Sequence, residues 1–341
     1  MRLVETLVVR DEADIVDAQI AYHLNAGVDF VVATDHESRD GTTEILEAYA
    51  RQGYLRRIAE SGPVQEDVWR TRMARLAATE HGADWVINTD ADQFYWPRRG
   101  TLKEIFSAVP QRFGVVGCMN RHFVPVPYDG SPFFERMTLR VSPPVALNDP
   151  TSPWRPGATV AHRADPAVRV FHAGYAVAGA DLVPVPGWYP FDILHFPYRS
   201  VEQWLRKTTR RAHGDKPLGI YVKGDVAREQ GRVEDVYASV DVDDRTVARG
   251  FEAGTLISDT RLRDMLRGLV DETPSAELAF RLPSGIGVAS DARAVPDLHD
   301  AALTDLSALH DATLVRLQRR IDDVALRATA LERRGRRVSG P

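Results

Sequence analysis

Short apolar segments alternate with amphipathic segments over the first 120 residues, and this alternation constrains the fold more than any other feature of the chain. Four strands are predicted, from segments rich in β-branched and aromatic residues, at 3–9, 28–33, 54–59 and 85–89. Three helices are predicted between them, from the spacing of the apolar residues, over 12–27, 43–52 and 65–81. Strands that alternate with helices of this length form right-handed crossovers in a mostly parallel sheet. The sequence therefore predicts an α/β fold.

Composition excludes several classes of protein. The net charge of −5 over 341 residues argues against a general basic surface for nucleic acid. The single cysteine, Cys118, excludes an internal disulfide and a cysteine-based zinc cluster. No segment approaches the roughly 20 apolar residues of a membrane span, and the first residues lack a signal-peptide pattern. We expect a soluble, cytoplasmic protein.

The chain changes character after the alternating part. Prolines are dense from Phe123 to Pro197, which excludes long helices and favours loops and edge strands of the kind that form binding surfaces. Residues 200–212 are predicted to return to helix, and the polar, acidic stretch 225–250 is predicted to be a loop or lid. The expected division is a catalytic domain, an accessory or lid region and a C-terminal amphipathic helix with a basic tail, over 1–220, 221–296 and 297–341.

The C-terminal part has its own pattern. Apolar residues recur at spacings of three and four between Leu314 and Leu331, which predicts a docking or dimerisation helix rather than a long coiled coil. Eight arginines lie between Arg316 and Arg337. They form either a solvated, frayed end or a surface that docks on the anionic inner face of a membrane.

The strongest local motif is Asp90-Ala91-Asp92, which follows the strand predicted at 85–89. Ligands of open α/β sheets bind at the carboxyl ends of strands, and two carboxylates there suit a divalent cation that neutralises a diphosphate. The alternative is chance, because Asp241-Val242-Asp243 repeats the pattern without a preceding strand.

Two further strand ends carry polar residues. The turn from Asp35 to Thr42 follows the second predicted strand, and Arg10-Asp11-Glu12 follows the first. Helix capping by Asp40 or Thr42 is the simpler explanation of that turn. Polar clusters at three strand ends together indicate one shared crevice.

A later motif surrounds a histidine. His195 follows an apolar run and precedes Arg199 and Lys207, so an imidazole ligand for a metal and two cations for phosphate lie in one segment. A single histidine is more often a satisfied core or surface residue than a ligand.

Together these motifs resemble the family 2 glycosyltransferases, over about residues 1–212. The Asp35–Thr42 turn resembles their Asp-x-x-Ser-x-Asp-Gly-Thr motif, and Asp90-Ala91-Asp92 resembles the Asp-x-Asp motif of the GT-A fold. The run from His195 to Ser200 resembles the His-Tyr-x-x-(Lys/Arg)-Ser segment of a bacterial branch related to family 92. The resemblance implies a GT-A-type nucleotide-diphospho-sugar transferase fold with flanking helices and a C-terminal helical appendage. Residues 1–120 would form its nucleotide-binding half, and 121–200 its acceptor-side loops and metal histidine.

The resemblance also implies roles for individual residues. Asp92 and His195, with Asp90, would hold Mn²⁺ or Mg²⁺, and a mixed nitrogen and oxygen set suits Mn²⁺ at least as well. Asp90 would also lie near the ribose. The residues expected to bind the donor, with Glu12 and Asp40 at the nucleoside and Arg72 at the diphosphate, are Arg10, Glu12, Asp35, Asp40, Arg72, Asp90, Arg199 and Lys207.

The sequence departs from the family pattern in three places. Gln93 stands where a glutamate follows the motif, and Asp11 replaces an asparagine before Glu12. The Glu-Asp signature of the catalytic base is absent. The candidates for that base are His172, Asp149 and Asp192, with Asp165 also in the same segment. His172 matches a histidine of the related branch, and binding of acceptor or closing of a loop are its alternative roles.

The function expected from this sequence is metal-dependent transfer of a sugar from a nucleotide diphosphate donor, with UDP preferred, to an acceptor hydroxyl. Kinship with families 2 and 92 implies inversion at the anomeric carbon. One alternative is a nucleotide-sugar-binding protein without transfer activity, suggested by Gln93 and the missing signature. Another is a haloacid-dehalogenase-type phosphatase, which also uses a strand-end Asp-x-Asp.

Overall fold

The centre of the fold is an eight-stranded sheet with helices on both faces. It is seen in a computed structural model, which describes residues 1–142, 154, 158–171, 174–185, 188–204, 206, 233–238, 242–272 and 278–283. The strands are β1 Leu3–Val9, β2 Phe30–His36, β3 Leu55–Glu60, β4 Trp85–Asp90, β5 Gln93–Pro97, β6 Val115–His122, β7 Leu139–Val141, β8 Ala158–Arg163, β9 Arg169–Phe171, β10 Ala176–Ala178, β11 Phe191–His195 and β12 Leu256–Ser258. The helices are α1 Val16–Asn25, α2 Thr42–Arg51, α3 Glu66–Thr79, α4 Leu102–Ala108, α5 Phe133–Arg136, α6 Val233–Ala238, α7 Asp244–Glu252 and α8 Arg261–Leu269.

The order of strands in the large sheet is β3-β2-β1-β4-β8-β6-β11-β5. β1 to β4 are parallel neighbours, and β6 and β11 run the same way. Only β8 and β5 run against them among the strands of this sheet. The predicted mostly parallel sheet is therefore confirmed, and the mixture comes from the second half of the chain.

The four predicted strands and three predicted helices all occur, with shifted ends. β2 continues to His36, so Asp35 lies within the strand rather than in the following turn. α1 ends at Asn25, and Gly27 follows at a φ of 108°, a conformation that glycine adopts without the strain of a Cβ.

Each face of the sheet packs against its own set of helices, because side chains alternate along the strands. Leu3, Leu7 and Ile87 point to the face covered by α1, α2, α4 and α8. Val4, Val32 and Val86 point to the other face, where they contact Met73 and Ala77 of α3. The parallel half of the sheet is thus buried on both sides, as parallel sheets require.

The stretch predicted as loop or lid, 225–250, contains helices α6 and α7. The predicted loop is therefore wrong for its described residues, and the lid stays a prediction. α7 begins at Asp244 because the Asp243 side chain accepts a hydrogen bond of 2.7 Å from the backbone of Thr246, an N-cap. A repeated Asp-x-Asp pattern without a strand is therefore explained, at Asp243, by capping.

The last described segments join the first core. Leu262, Leu266 and Leu269 of α8 are buried in the cluster that contains α1. The backbone N–H of Ala279 donates to the Asp17 carboxylate on α1 at 2.7 Å.

No helix among the described residues is long and apolar enough to cross a membrane. The predicted amphipathic helix at 314–331 and the arginine-rich tail lie outside the described residues. Most of the helix predicted at 200–212 also lies outside them, although 201–204 and 206 are helical.

Candidate functional site

Two strands bring the Asp-x-Asp motif and the late histidine together. β4 ends at Asp90, β5 begins at Gln93, and Asp92 lies in the turn between them. Gln93 is paired in register with His195, the last residue of β11. The Nε2 atom of His195 lies 3.3 Å from Oδ1 of Asp92. Asp92 is almost fully buried, and its backbone carbonyl accepts a hydrogen bond of 2.9 Å from Phe196. The turn and the end of β11 are therefore held against each other.

A second histidine, which the sequence analysis did not identify, completes this cluster. His122 ends β6 and is paired in register with His195. Their Nδ1 atoms are 3.0 Å apart. When Nε2 of His195 binds a cation, its Nδ1 carries the proton and donates it to Nδ1 of His122. When Nε2 faces only the Asp92 carboxylate, Nε2 is the donor. The signal available in the sequence was a histidine at the end of an apolar strand-like run, Val115 to His122.

Asp90 points away from this cluster, toward helix α3. Its carboxylate forms an ion pair with the fully buried guanidinium of Arg70. Arg70 also pairs with Glu66 at 3.0 Å and donates to the Thr89 carbonyl at 2.9 Å. Burial lowers the pKa of this guanidinium, but the carboxylates of Asp90 and Glu66 outweigh burial and raise it above its ordinary value. Arg70 is therefore charged and fixes the end of β4.

Arg72 lies on a different face of α3 from Arg70. Its side chain is 40% exposed and pairs with Glu60 at 2.5 Å. Two residues correspond to a rotation of about 200° on a helix, which separates the two arginines. The arginine that α3 presents to the motif is thus Arg70, whereas Arg72 was the residue predicted to bind diphosphate.

Arg199 and Glu12, both predicted to bind the donor, contact each other. Arg199 is 1% exposed and forms ion pairs with Glu12 and with Asp14, the latter at 2.7 Å. It also donates to the Phe196 carbonyl at 3.1 Å. Burial lowers the pKa of Arg199, but the carboxylates of Asp14 and Glu12 raise it well above its ordinary range. This arginine ties the segment after β11 to the loop after β1.

Asp40 and Asp35 fix the loops at the ends of β1 and β2. Asp40 accepts hydrogen bonds from the backbone and hydroxyl of Thr42, at 3.1 and 2.6 Å, and from the backbone of Ala13 at 3.1 Å. Asp35 accepts from the hydroxyl of Thr43 at 2.6 Å and pairs with Arg57 at 3.3 Å. The carboxylate of Asp40 therefore holds the first two loops together as well as the start of α2.

The rim of the same crevice carries Arg10 and two residues of unusual backbone conformation. Asp11 and Glu37 both have a φ of 53°. Positive φ values are uncommon in residues other than glycine, and such residues cluster at functional sites. The guanidinium of Arg10 lies 3.2 Å from Nδ1 of His36 and 3.8 Å from the carboxylate of Glu37.

The candidates for the catalytic base are not brought together in the described part of the chain. Asp149 and His172 lie outside the described residues, as does Lys207. Asp192 is buried among arginines, bonded to Arg98 at 3.0 Å and to Arg121 at 2.8 Å, with Arg261 at 3.4 Å. Burial raises the pKa of Asp192, but these guanidinium groups hold it far below its usual range. A carboxylate so stabilised as an anion is a weak proton acceptor.

The residues fit a cation only in part. Among the described residues, no group of three or more histidine, cysteine, aspartate or glutamate side chains is arranged to hold a metal ion. Asp92 and His195 are adjacent, whereas the third predicted ligand, Asp90, pairs with Arg70. Mg²⁺ and related ions are commonly held by one or two protein ligands together with substrate phosphates. The donor set therefore fits an ion that binds together with a diphosphate.

Distant similarities to solved structures are found. No protein-family model matches the chain, and no curated protein matches it in sequence. The crystal structure of S. aureus TarS 1-349 in complex with UDP-GlcNAc is similar at a TM-score of 0.32 and 11% identity, over 84% of this chain and 98% of that one. TarS 1-349 alone gives 0.30 and 12%, over 64% and 67%. The crystal structure of a mycobacterial protein gives 0.27 and 16%, over 68% and 75%. These scores carry no argument about function, which rests on the geometry above.

Proposed function

We propose that the protein is a glycosyltransferase that moves a sugar from a nucleotide diphosphate donor to the hydroxyl of an acceptor. The observation that supports this most is the contact between Asp92 and His195 at neighbouring strand ends of a mostly parallel sheet. Ligands of α/β sheets bind at this edge, where buried Arg70 and Arg199 also lie. The resemblance of the sequence motifs to those of the GT-A fold supports the same proposal.

The chemical demand of such a reaction is the negative charge that develops on the leaving diphosphate. Asp92 and His195 would hold Mn²⁺ or Mg²⁺, which neutralises that charge as a Lewis acid. The protein's part is to fix these two side chains before the donor binds. His122 fixes His195, and the hydrogen bond from Phe196 fixes the turn that carries Asp92. Groups fixed in advance stabilise developing charge without reorganisation.

The nucleoside is proposed to lie over the loops after β1 and β2, with UDP the preferred donor. Asp40, Asp35 and Thr42 hold these two loops in one shape. Arg10 lies on the rim, and the ion pair between Glu12 and Arg199 closes the side toward β11. In this arrangement Asp35 and Asp40 shape the pocket, and Arg10 and Glu12 face the donor.

The acceptor proton needs a base. His172 and Asp149 are the proposed candidates, and Asp192 is disfavoured because three arginines stabilise its anion. The base takes the proton of the acceptor hydroxyl as that oxygen attacks the anomeric carbon and the bond from that carbon to the diphosphate breaks. Displacement in one step inverts the configuration, which is the stereochemistry proposed.

The proposed cellular setting is the cytoplasm. The C-terminal segment is proposed either to form a homodimer or to dock on the inner face of a membrane, where a lipid-linked acceptor would lie. Truncation after residue 300, followed by sedimentation with anionic liposomes and by light scattering, separates these possibilities. If the truncated protein pellets with liposomes as the full chain does, membrane docking is contradicted. If truncation leaves the number of subunits unchanged, dimerisation through this segment is contradicted.

The test of the function is a panel of nucleotide sugars, assayed for donor hydrolysis and transfer with Mn²⁺ present or chelated. We expect turnover of a UDP-sugar that is lost in chelator. Full activity in chelator contradicts the metal role. Nucleotide binding without hydrolysis or transfer across the panel supports a binding protein instead. Turnover of a generic phosphomonoester with Mg²⁺, without turnover of any nucleotide sugar, supports the phosphatase alternative.

A further inference from the structure

A buried polar cluster lies beside the two strands that carry the Asp92 turn. Its members are Glu5 on β1, Gln19 and His23 on α1, and Thr89 on β4, and all four are fully buried. The Oε1 atom of Glu5 accepts hydrogen bonds from the Gln19 amide at 2.5 Å and from the Thr89 hydroxyl at 2.6 Å. One carboxyl group therefore joins β1, α1 and β4.

The first link from this carboxyl group fixes the end of β4. Thr89 directly precedes Asp90, the last residue of the strand. The hydroxyl of Thr89 is bonded to Glu5, and its backbone carbonyl accepts a hydrogen bond of 2.9 Å from Arg70. Because the side chain and the main chain of this residue are both held, the strand is fixed at the point where the turn leaves it.

The second link runs through His23 to β5, the strand that follows the turn. Nε2 of His23 accepts a hydrogen bond of 3.0 Å from the backbone N–H of Tyr95. Nδ1 of the neutral ring therefore carries the proton, and it lies 3.1 Å from the Gln19 carbonyl and 3.2 Å from Oε1 of Glu5. Burial lowers the pKa of His23 to about 3, so the ring is neutral at physiological pH. The strands before and after the turn are thus tied to the same carboxyl group.

The position of the turn is reported by a contact with β11. The backbone carbonyl of Asp92 accepts a hydrogen bond of 2.9 Å from the N–H of Phe196, which follows directly on His195. A shift of the turn would lengthen this bond. The Phe196 amide therefore reports the placement of Asp92 beside His195.

Glu5 costs stability where it stands. Its neighbours on the same face of β1, Leu3 and Leu7, are apolar core residues. Among the described residues, no lysine or arginine forms an ion pair with Glu5, and its Oε2 atom has no hydrogen-bond partner. Burial raises the pKa of this carboxyl to about 7, because ionising it away from water costs free energy. A residue that breaks the pattern of the core at such a cost is expected to serve function.

We propose that Glu5 is a positioning residue, which holds both strands beside the turn, through Thr89 and His23, and thereby keeps Asp92 against His195. The consequence for binding of a cation and a nucleotide rests on the proposed function. The placement of the turn does not, because it concerns contacts within the chain.

The test measures hydrogen exchange of the Phe196 amide by NMR, in the full-length protein without metal or nucleotide. Glu5→Leu removes the acceptor at similar volume, and Glu5→Gln keeps an oxygen acceptor in its place. Asp17→Leu is the matched control, because Asp17 is a buried carboxyl of α1 that bonds to Tyr49 and Ala279 instead. Exchange is corrected for global unfolding, which urea titration of each variant measures.

We expect the Phe196 amide to exchange about fivefold faster or more in Glu5→Leu, and close to the native rate in Glu5→Gln. The rate in Asp17→Leu should also stay close to native. An unchanged rate in Glu5→Leu, or an equal acceleration in Asp17→Leu, contradicts the inference. If Glu5→Leu does not fold, Thr89→Val breaks the first link with Glu5 in place and is judged by the same outcomes.

The second link has its own pair of variants. His23→Leu removes the acceptor for the Tyr95 N–H, whereas the side-chain oxygen of His23→Gln can accept that bond as Nε2 does. Faster exchange at Phe196 in the leucine variant, with recovery in the glutamine variant, is the expected result. Equal rates in the native protein and in His23→Leu contradict a role for this link.

Affinity for UDP with Mn²⁺, measured by calorimetry, connects the turn to the proposed function. We expect Glu5→Leu to bind about fivefold more weakly than the native protein, and Glu5→Gln to recover part of the loss. Equal affinity of the native protein and Glu5→Leu contradicts a positioning role at the site. Absence of UDP binding by the native protein contradicts the proposed function instead, and the exchange rates of Phe196 still decide whether Glu5 holds the turn.

Discussion

The Nε2 atom of His195 lies 3.3 Å from Oδ1 of Asp92, although the two residues come from segments far apart in the chain. Their proximity depends on β5 and β11 pairing in register, with Gln93 opposite His195. Strand pairing therefore places His195 beside the short turn that carries Asp92, and side chains held by paired strands are positioned more precisely than those on long loops.

Asp92→Asn and His195→Ala should each lower the kcat/KM of sugar transfer with Mn²⁺ by about a hundredfold, because each removes one of the two proposed metal ligands. The measurement is kcat/KM across a Mn²⁺ titration. Asp243→Asn is the control, since Asp243 belongs to the repeated pattern but caps α7. Equal losses in all three variants, or none in the first two, would contradict the assignment.

His122→Ala should weaken Mn²⁺ binding about tenfold, because it removes the acceptor that orients the imidazole of His195. The readout is Mn²⁺ affinity by electron paramagnetic resonance, with and without UDP, and the fold is checked by thermal unfolding. His122→Asn retains a polar group at this place and should recover part of the affinity. An unchanged Mn²⁺ affinity in the alanine variant would remove the positioning role.

Arg70→Met should lower the free energy of unfolding by about 2 kcal/mol, because it leaves the carboxylates of Asp90 and Glu66 without their shared cation. Arg72→Gln on the same helix should change it by less than about 0.5 kcal/mol, because its ion pair is partly exposed. The measurement is the free energy of unfolding of the two variants and the native protein, from urea titrations. Equal stability of the two proteins would show that the buried pair contributes little.

Glu5 predicts a pH dependence of stability. Burial raises the pKa of this fully buried carboxyl to about 7, although hydrogen bonds from Thr89 and Gln19 lower it. The folded protein therefore keeps a proton that the unfolded chain loses near pH 4.3, and Glu5 costs stability as the pH rises from there to 7.

The measurement is the difference in free energy of unfolding between the native protein and Glu5→Gln. Relative to Glu5→Gln, the free energy of unfolding of the native protein should fall by on the order of 3 kcal/mol as the pH rises from 4.5 to 7.5. His23 acts in the opposite direction, because burial lowers its pKa to about 3. Its Nδ1 lies 3.2 Å from Oε1 of Glu5, so the Glu5→Gln, His23→Gln double variant is measured as well to separate the two contributions. A difference that is flat with pH would show that Glu5 titrates normally.

Much of the first half of the fold was predictable, since it depends on local patterns. β1 to β4 and the helices between them follow from the periodic spacing of apolar residues and from glycines that end helices, such as Gly27. The Asp-x-Asp motif was found by the same logic, because a buried strand runs directly into it.

The other half depends on pairings that no local pattern records. β11 lies between β6 and β5, and only this order places His122 beside His195. Arg72 was predicted instead of Arg70, although Arg70 shares the helical spacing of Met73 and Ala77, which face the sheet. Helices α6 and α7 were not predicted, since their composition is polar and their apolar side chains are few.

The contact between Ala279 and Asp17 has a consequence for how the chain is synthesised. α1 is one of the first helices to leave the ribosome, yet the segment that covers it, from α8 to Arg281, is made more than 230 residues later. Until then its apolar side toward α8 is open to water or to chaperones. A fragment that ends at residue 220 would keep this side open permanently. We expect such a fragment to aggregate on expression, which makes the N-terminal unit dependent on the segment beyond it.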